Sequence, residues 1–139
     1  MWERVEGEAR KAGVDLDLSQ QPRTFPTQKA HTLVRLAQPK GTQHALANAI
    51  AEAYFLEHRQ VNDDEVLADI AAEHGFTREE ALGDMRDPRE LEQSHQLAIW
   101  AAQQGIQGVP FFVFDNTFAL SGAQPAEVFD MAFAKVLEG

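Results

Sequence analysis

The pair of residues with the clearest metal-binding chemistry is Glu92 and His95, which lie three positions apart in a segment of helical periodicity. This spacing puts a carboxylate and an imidazole on one helix face, as in di-iron helical bundles. Such a site needs a second pair of the same kind and two further glutamates, and the sequence has no second pair at a matching helical position. We therefore predict no metal site.

The other four histidines follow the pattern of ordinary packing and surface residues. His31 follows Ala30 on an amphipathic helix, which predicts a half-buried ring with a hydrogen-bonded tip. His44, His58 and His74 fall on polar sides or at helix ends, which predicts exposure to solvent.

The most restrictive feature of the sequence is that it contains no cysteine. This excludes disulfides, thiolate metal sites and a cysteine nucleophile within the chain. The chain also has no glycine-rich phosphate loop, no nucleophile elbow and no zinc-protease motif. We therefore predict no catalytic residue and no cofactor.

Charge is distributed unevenly along the 139 residues, whose formal net charge is -10. Residues 60–100 hold eleven Asp and Glu against three Arg, which argues against a nucleic-acid partner because this region repels phosphate backbones. We interpret it as a solvated helical surface, and an acidic docking face is the alternative. No apolar run approaches the ~20 residues of a membrane helix, and the acidic start is unlike a secretory signal. We expect a cytoplasmic protein without a membrane partner.

The elements that must position any site are mostly helical up to about residue 105. A first helix ends at Gly13, residues 14–18 alternate in a short extended pattern, and residues 21–26 form a proline-containing loop. Five helices follow, and their predicted starts are Thr27, about Thr42, Asn62, Thr77 and Asp87. Asn62 is a predicted cap, and Thr77 with Glu80 three positions later has the spacing of a capping box.

The periodicity changes after Gly108. Residues 109–114 and 118–120 form two β-type runs joined by a turn at 115–117, and a final apolar helix starts at Pro125. Six aromatic residues of this region are predicted to be core, namely Phe111, Phe112, Phe114, Phe118, Phe129 and Phe133. Since 139 residues make one ordinary domain, we predict a single α+β unit that is mostly helical.

Residues 105–114, followed by Ser121-Gly122-Ala123-Gln124-Pro125, resemble the C-terminal block of the FrnE branch of DsbA-like thioredoxin-fold proteins. Upstream, Ala30-His31 and Ala53-Tyr54-Phe55 resemble the helical insertion of the same branch. The resemblance implies a helical insertion over about residues 19–104. It also implies a partial thioredoxin-like fold, a β-hairpin and C-terminal helix, over residues 1–18 and 105–139. One departure is Pro26, where the family usually has an asparagine before the threonine that corresponds to Thr27.

The candidate binding residues are Val109 and Pro110. A proline has no backbone N–H, so directly before a buried strand it removes one hydrogen-bond donor from the sheet. Its position is explained if the peptide bond before it helps to turn the chain. A purely structural turn is therefore one interpretation. The resemblance implies that the bond between Val109 and Pro110 is cis. It also implies a second interpretation of these two residues, as a substrate-binding loop. In thioredoxin folds the residue before this proline presents its backbone to an extended thiol protein or peptide substrate, as an added strand.

The resemblance also implies that a strand and a helix bearing Cys-x-x-Cys are missing from this chain, because the family places that motif in its N-terminal half. We therefore expect a truncated member of the disulfide oxidoreductase family that is redox-inactive alone. A two-stranded hairpin is marginal in water, so we expect either an N-terminal half as partner or a homodimer or larger oligomer. The alternative function is a non-catalytic helical module for binding or oligomerisation.

Two other enzyme classes are similar in architecture, the kappa-class glutathione transferases and the 2-hydroxychromene-2-carboxylate isomerases. They usually carry an acid–arginine pair after the glycine that corresponds to Gly122, whereas this chain has Ala123 and Gln124. The FrnE branch is therefore the closer resemblance. The sequence names no particular substrate protein.

Overall fold

Residues 2–21 and 23–139 are described by a computed structural model, which is mostly helical with one small antiparallel sheet. The elements are α1 Trp2–Lys11, α2 Gln28–Leu36, α3 Gln43–Phe55, α4 Asp64–Ala72, α5 Arg78–Arg86, α6 Pro88–Gln103, β1 Phe111–Phe114, β2 Phe118–Ser121 and α7 Ala126–Glu138. The predicted class, α+β and mostly helical, is confirmed. The chain divides into two compact units, Met1–Gln96 (the helical unit) and Leu97–Gly139 (the C-terminal unit).

Capping side chains determine where several helices begin. Thr77 accepts a hydrogen bond from the backbone N–H of Glu80, and the Glu80 carboxylate accepts one from the N–H of Thr77, which completes the predicted capping box. The predicted cap Asn62 is wrong by one residue. Asp63 caps α4 instead, because its carboxylate accepts from the backbone N–H groups of Glu65 and Val66.

The segment predicted as extended does not form a strand. Residues 14–17 have no regular structure, and Leu18–Gln20 is a single 3-10 turn whose start is capped by Asp17. The Asp17 carboxylate accepts from the backbone N–H and the hydroxyl of Ser19, so a local side-chain contact replaces the pairing that a strand would need.

The apolar core of the helical unit is built by α2–α5 and the turns between them. Its largest fully buried apolar side chains are Leu33, Leu46, Val61, Leu67 and Met85. Leu33 and Leu46 lie on the faces that the helical period predicts to be inward. This part of the chain therefore closes a core by itself.

Ion pairs join the basic α2 region to acidic residues far along the chain. Lys29 pairs with Asp64 at 2.5 Å, Arg35 with Glu90 at 2.5 Å, and Lys40 with Glu80 at 2.7 Å. The acidic region is thus only in part the solvated surface that its composition predicts, since these three carboxylates pair with cations across the helical unit.

The C-terminal unit contains the predicted hairpin and final helix. Phe111 pairs with Ser121 and Phe114 with Phe118, and the turn holds Asp115 and Asn116 at positive φ. The Phe112 ring packs edge-to-face on Phe129 of α7 at 4.9 Å, which places α7 against one face of the hairpin.

The prediction that six phenylalanines of this unit form a core is only partly right. Among the described residues of the unit, Phe114 and Ala132 alone are buried. Phe112 and Phe133 remain 37% and 57% exposed. Two strands and one helix cover each other on one side only, so the remaining apolar surface stays in contact with solvent.

Candidate functional site at the Val109–Pro110 loop

Val109 and Pro110 stand directly before β1, and the peptide bond between them is cis. The Pro110 carbonyl accepts a hydrogen bond from the backbone N–H of Gly122 at 2.8 Å, which ties the loop to the end of β2. Gly122 has a φ of 82°, a conformation that glycine adopts without strain. Val109 is 90% exposed and makes no backbone hydrogen bond within the described part of the chain. The loop is therefore anchored at its proline while the residue before it is free for contact.

The hairpin register leaves one edge of β1 open. Paired residues of an antiparallel ladder alternate between hydrogen-bonded and non-hydrogen-bonded pairs. Because Pro110 bonds to Gly122, the next bonded pairs are Phe112 with Leu120 and Phe114 with Phe118. The backbone N–H and C=O groups of Phe111 and Val113 therefore point away from β2.

No other strand in residues 2–21 and 23–139 occupies this edge, because the sheet there has two strands. An open edge pairs readily with an extended chain through main-chain hydrogen bonds. Phe111 and Val113 thus present their backbone groups to an added strand, and the exposed Val109 precedes β1 across the cis bond to Pro110. The apolar periodicity of residues 109–114 does not show whether β1 is an edge strand or a buried strand. The alternation of hydrogen-bonded pairs in the hairpin shows which backbone groups of β1 point away from β2.

The C-terminal unit also exposes several large apolar side chains. Val113 is 57% exposed, and on α7 Met131 is 65% and Leu137 is 87% exposed. Such exposure is more than isolated surface residues require and is typical of an interaction surface.

The groups with shifted pKa values lie elsewhere, among the residues of the helical unit. A hydrogen bond from Lys29 lowers the pKa of the Asp64 carboxyl, and burial raises the pKa of the Asp84 carboxyl. Both shifts accompany contacts between helices, so they are explained by packing of the helical unit. The chemistry available at the Val109–Pro110 loop is binding through backbone and apolar contacts.

The Glu92 and His95 pair does not assemble into a metal site. Both residues are exposed on α6, and the Glu92 carboxylate accepts from the side-chain amide of Gln96. Among the residues that the structure describes, no three His, Asp or Glu side chains come close enough to hold a metal ion.

Three of the four other histidines differ from their predicted environments. His31 is exposed and has no side-chain hydrogen bond in the described residues. His58 and His74 are half-buried instead of exposed. The His74 ring bonds to the carbonyl oxygen of Ile70 at 2.8 Å, which draws it onto the surface of α4. His44 is exposed as predicted.

None of the helices within the described ranges is both long enough and apolar enough to cross a bilayer.

Comparison with known proteins identifies the family. The chain matches the DSBA-like thioredoxin domain over residues 1–134. Its structure is similar to that of a probable DsbA oxidoreductase from Streptomyces coelicolor, with a TM-score of 0.86 and 33% sequence identity, over 98% of this chain and 58% of that one. This chain therefore spans less than two thirds of the length of that relative.

A proposed protein disulfide isomerase from Nitrosomonas europaea shares the fold, with a TM-score of 0.76 and 18% identity over 98% of this chain and 71% of that one. The comparison with curated proteins gives no match. The family match covers nearly the whole sequence and agrees with the cis-proline hairpin and the helical unit. This chain belongs to the DsbA-like thioredoxin domain family.

Proposed function

We propose that this chain is the helical and C-terminal portion of a FrnE-type DsbA-like oxidoreductase. It takes part in thiol–disulfide exchange only together with a thioredoxin half that supplies the cysteines, and it has no exchange activity alone. In this role the exposed backbone of Val109, directly before the cis proline, holds an extended segment of a thiol protein.

The observation that carries this proposal is the uneven burial of apolar side chains. The core of α2–α5 is closed, with Leu33, Leu46 and Leu67 at 0% exposure. By contrast α1 has no buried residue among Trp2–Lys11, and its Val5 is 45% exposed. The hairpin and α7 leave Val113 and Leu137 exposed as described above.

The elements with incomplete cores are those that the resemblance assigns to the thioredoxin layer, residues 1–18 and 105–139. Full burial of one large apolar side chain stabilises a fold by ~1.5–3 kcal/mol, so several left in water favour a further partner. Additional thioredoxin-type strands would supply that cover. The greater length of the Streptomyces coelicolor relative agrees with such a partner.

The second support is chemical. Exchange requires a thiolate that attacks a disulfide sulfur, and this sequence contains no cysteine. The sulfur chemistry must then come from another polypeptide segment, whereas the backbone of Val109 can still bind the extended substrate.

The proposal is tested with the purified 139-residue chain in two assays. In a disulfide-reductase assay we expect a rate equal to that of buffer, and a rate above buffer would overturn the proposal. In an NMR titration with an extended peptide that carries an alkylated cysteine, we expect the largest amide shifts at Val109 and Phe111, the residues on either side of Pro110. Shifts confined to the helical unit would favour the alternative of a non-catalytic helical binding module.

Without a thioredoxin half, we propose that the open surface of the C-terminal unit is covered by a second copy of the chain. The homodimer or larger oligomer is supported by the exposed β1 edge, because an antiparallel edge is complementary to itself. The Discussion gives the measurement that tests it.

A further inference from the structure

The second half of α6 is apolar around its whole circumference. Residues 97–102 are six consecutive apolar residues, and six residues exceed one helical turn, so their side chains point in every direction from the helix axis. A helix of this kind is ordinarily buried. Here α6 has no buried residue along Pro88–Gln103, and Leu97 and Trp100 are 52% and 58% exposed. The end of α6 therefore lacks the cover that its composition requires.

The end of α6 also begins a long stretch that is almost free of charge. Residues 97–126, which we call the uncharged segment, contain one charged side chain, that of Asp115, although 24% of the whole chain is charged. Asp115 lies in the hairpin turn. Apolar side chains are exposed in the rest of the segment, with Val109 at 90% and Val113 at 57%. All these residues belong to the C-terminal unit.

The net charge of the chain limits which molecule can cover this segment. Two copies that each carry a formal charge of -10 repel each other. A two-fold symmetric contact brings the same patch of both copies together, so a patch with charge of one sign opposes itself. The uncharged segment avoids this repulsion. Few charges together with exposed aromatic side chains are also the composition of the centre of a protein–protein interface.

Other partners fit this segment less well. Nucleic acid and anionic membranes repel an acidic chain. A basic protein is attracted to the acidic residues 60–100 and gains no ion pair from a segment without charge. The thioredoxin half proposed above accounts for exposed side chains in residues 1–18 and 105–139, and the end of α6 lies outside both ranges.

We propose that the end of α6 forms the centre of a contact between two copies of this chain. Leu97 and Trp100 lie three positions apart on one helix face and are its anchors. The inference rests on the self-association proposed above and names the surface that carries it. The open edge of β1 belongs to the same uncharged segment and extends the contact. Because the contact contains no ion pairs, it strengthens when salt screens the repulsion between copies.

The test compares the two exposed tryptophans by analytical ultracentrifugation of the full chain. Trp100→Glu places a charge on the end of α6, and we expect at least about tenfold weaker dimerisation, because an unpaired charge loses water in an apolar contact. Trp2→Glu is the matched control. Trp2 is 49% exposed, but six of the ten residues of α1 are charged, so we expect unchanged dimerisation. Equal dimerisation by the two variants would overturn the proposal.

A second pair of variants keeps the proposal testable if Trp100→Glu does not fold. Gln103 is an exposed polar residue at the last position of α6. We expect Gln103→Glu and Gln103→Lys both to weaken dimerisation, since a charge of either sign is desolvated at an apolar contact. Stronger dimerisation by Gln103→Lys would place the end of α6 against acidic residues of the other copy and would contradict an uncharged contact.

The salt dependence of the wild type completes the experiment. We expect its dimer dissociation constant to fall by at least about twofold between about 0.05 and 0.5 M salt, whereas a contact made of ion pairs would weaken. A wild type that is monomeric at both salt concentrations would overturn this inference and the self-association, and would leave the reductase and peptide tests unaffected. A dimeric wild type with an equally dimeric Trp100→Glu would overturn only the role of α6.

Discussion

Lys29 of α2 donates a hydrogen bond to the carboxylate of Asp64 at the start of α4, with 2.5 Å between Nζ and Oδ1. The other carboxylate oxygen of Asp64 accepts from the Arg86 guanidinium of α5 at 3.0 Å. One carboxylate thus joins three helices whose sequence positions span residues 29 to 86. The Asp64 side chain is 19% exposed, so water screens these contacts only in part.

The first prediction concerns Asp64→Asn. We expect this variant to lower the free energy of unfolding at pH 7 by about 1 kcal/mol, because both cations lose their charged acceptor and both are themselves partly exposed. Urea unfolding followed by circular dichroism measures the difference. Glu79→Gln is the control, since Glu79 is exposed and forms no ion pair among the described residues, and an equal loss there would contradict the assignment.

The pH dependence of the same contact forms the second prediction. The folded-state pKa of Asp64 lies below its usual value of 3.8, mainly because of the hydrogen bond from Lys29 and further because of the one from Arg86. Its contribution is therefore present above that usual value and is lost as the pH falls through the folded-state pKa. We expect the stability difference between wild type and Asp64→Asn to shrink as the pH falls below about 4, and a difference that stays constant on acidification would contradict this.

The third prediction compares the loss of stability when a buried leucine and an exposed leucine are each replaced by alanine. Leu33→Ala removes a side chain with 0% exposure, and we expect it to cost about 2–5 kcal/mol. Leu137→Ala removes one that is 87% exposed, and we expect a change within about 0.5 kcal/mol. Thermal and urea unfolding of both variants measure this contrast. A large cost for Leu137→Ala would show that another copy or segment buries it in solution.

Local patterns in the sequence predict most of the elements, because caps, turns and apolar periodicity act over a few residues. Thr77 and Glu80, for example, lie three positions apart and form their capping box as predicted. The cap predicted at Asn62 is wrong, because Asp63, whose residue type suits the position equally well, accepts the backbone N–H groups of Glu65 and Val66 instead.

Contacts between distant segments could not be predicted in the same way. Lys29 and Asp64 are 35 positions apart, and nothing in their local spacing indicates that they meet. The candidate residues Val109 and Pro110 came from resemblance to a family, whereas the open edge at Phe111 and Val113 follows from the hairpin register. The space between α2 and α3 depends on how the two helices pack against each other. Apolar periodicity within each helix does not predict that packing.

The last prediction is that the isolated chain self-associates through the β1 edge. Val113→Pro removes an N–H that points away from β2, so the hairpin keeps its own hydrogen bonds while the edge loses a donor. Ala119→Pro is the matched control, because Ala119 pairs with Val113 and its N–H points to the opposite edge of the sheet.

We expect light scattering at micromolar concentration to give a dimeric or larger mass for the wild type and for Ala119→Pro, and a monomeric mass for Val113→Pro. Proline adds the same conformational restriction to either strand. A difference in mass between the two variants therefore shows that the β1 edge forms the association surface, and it is not caused by a general loss of the hairpin. A monomeric wild type with cooperative unfolding would show that the helical core stabilises the chain without a partner. Equal masses for all three proteins above that of a monomer would place the association surface away from β1.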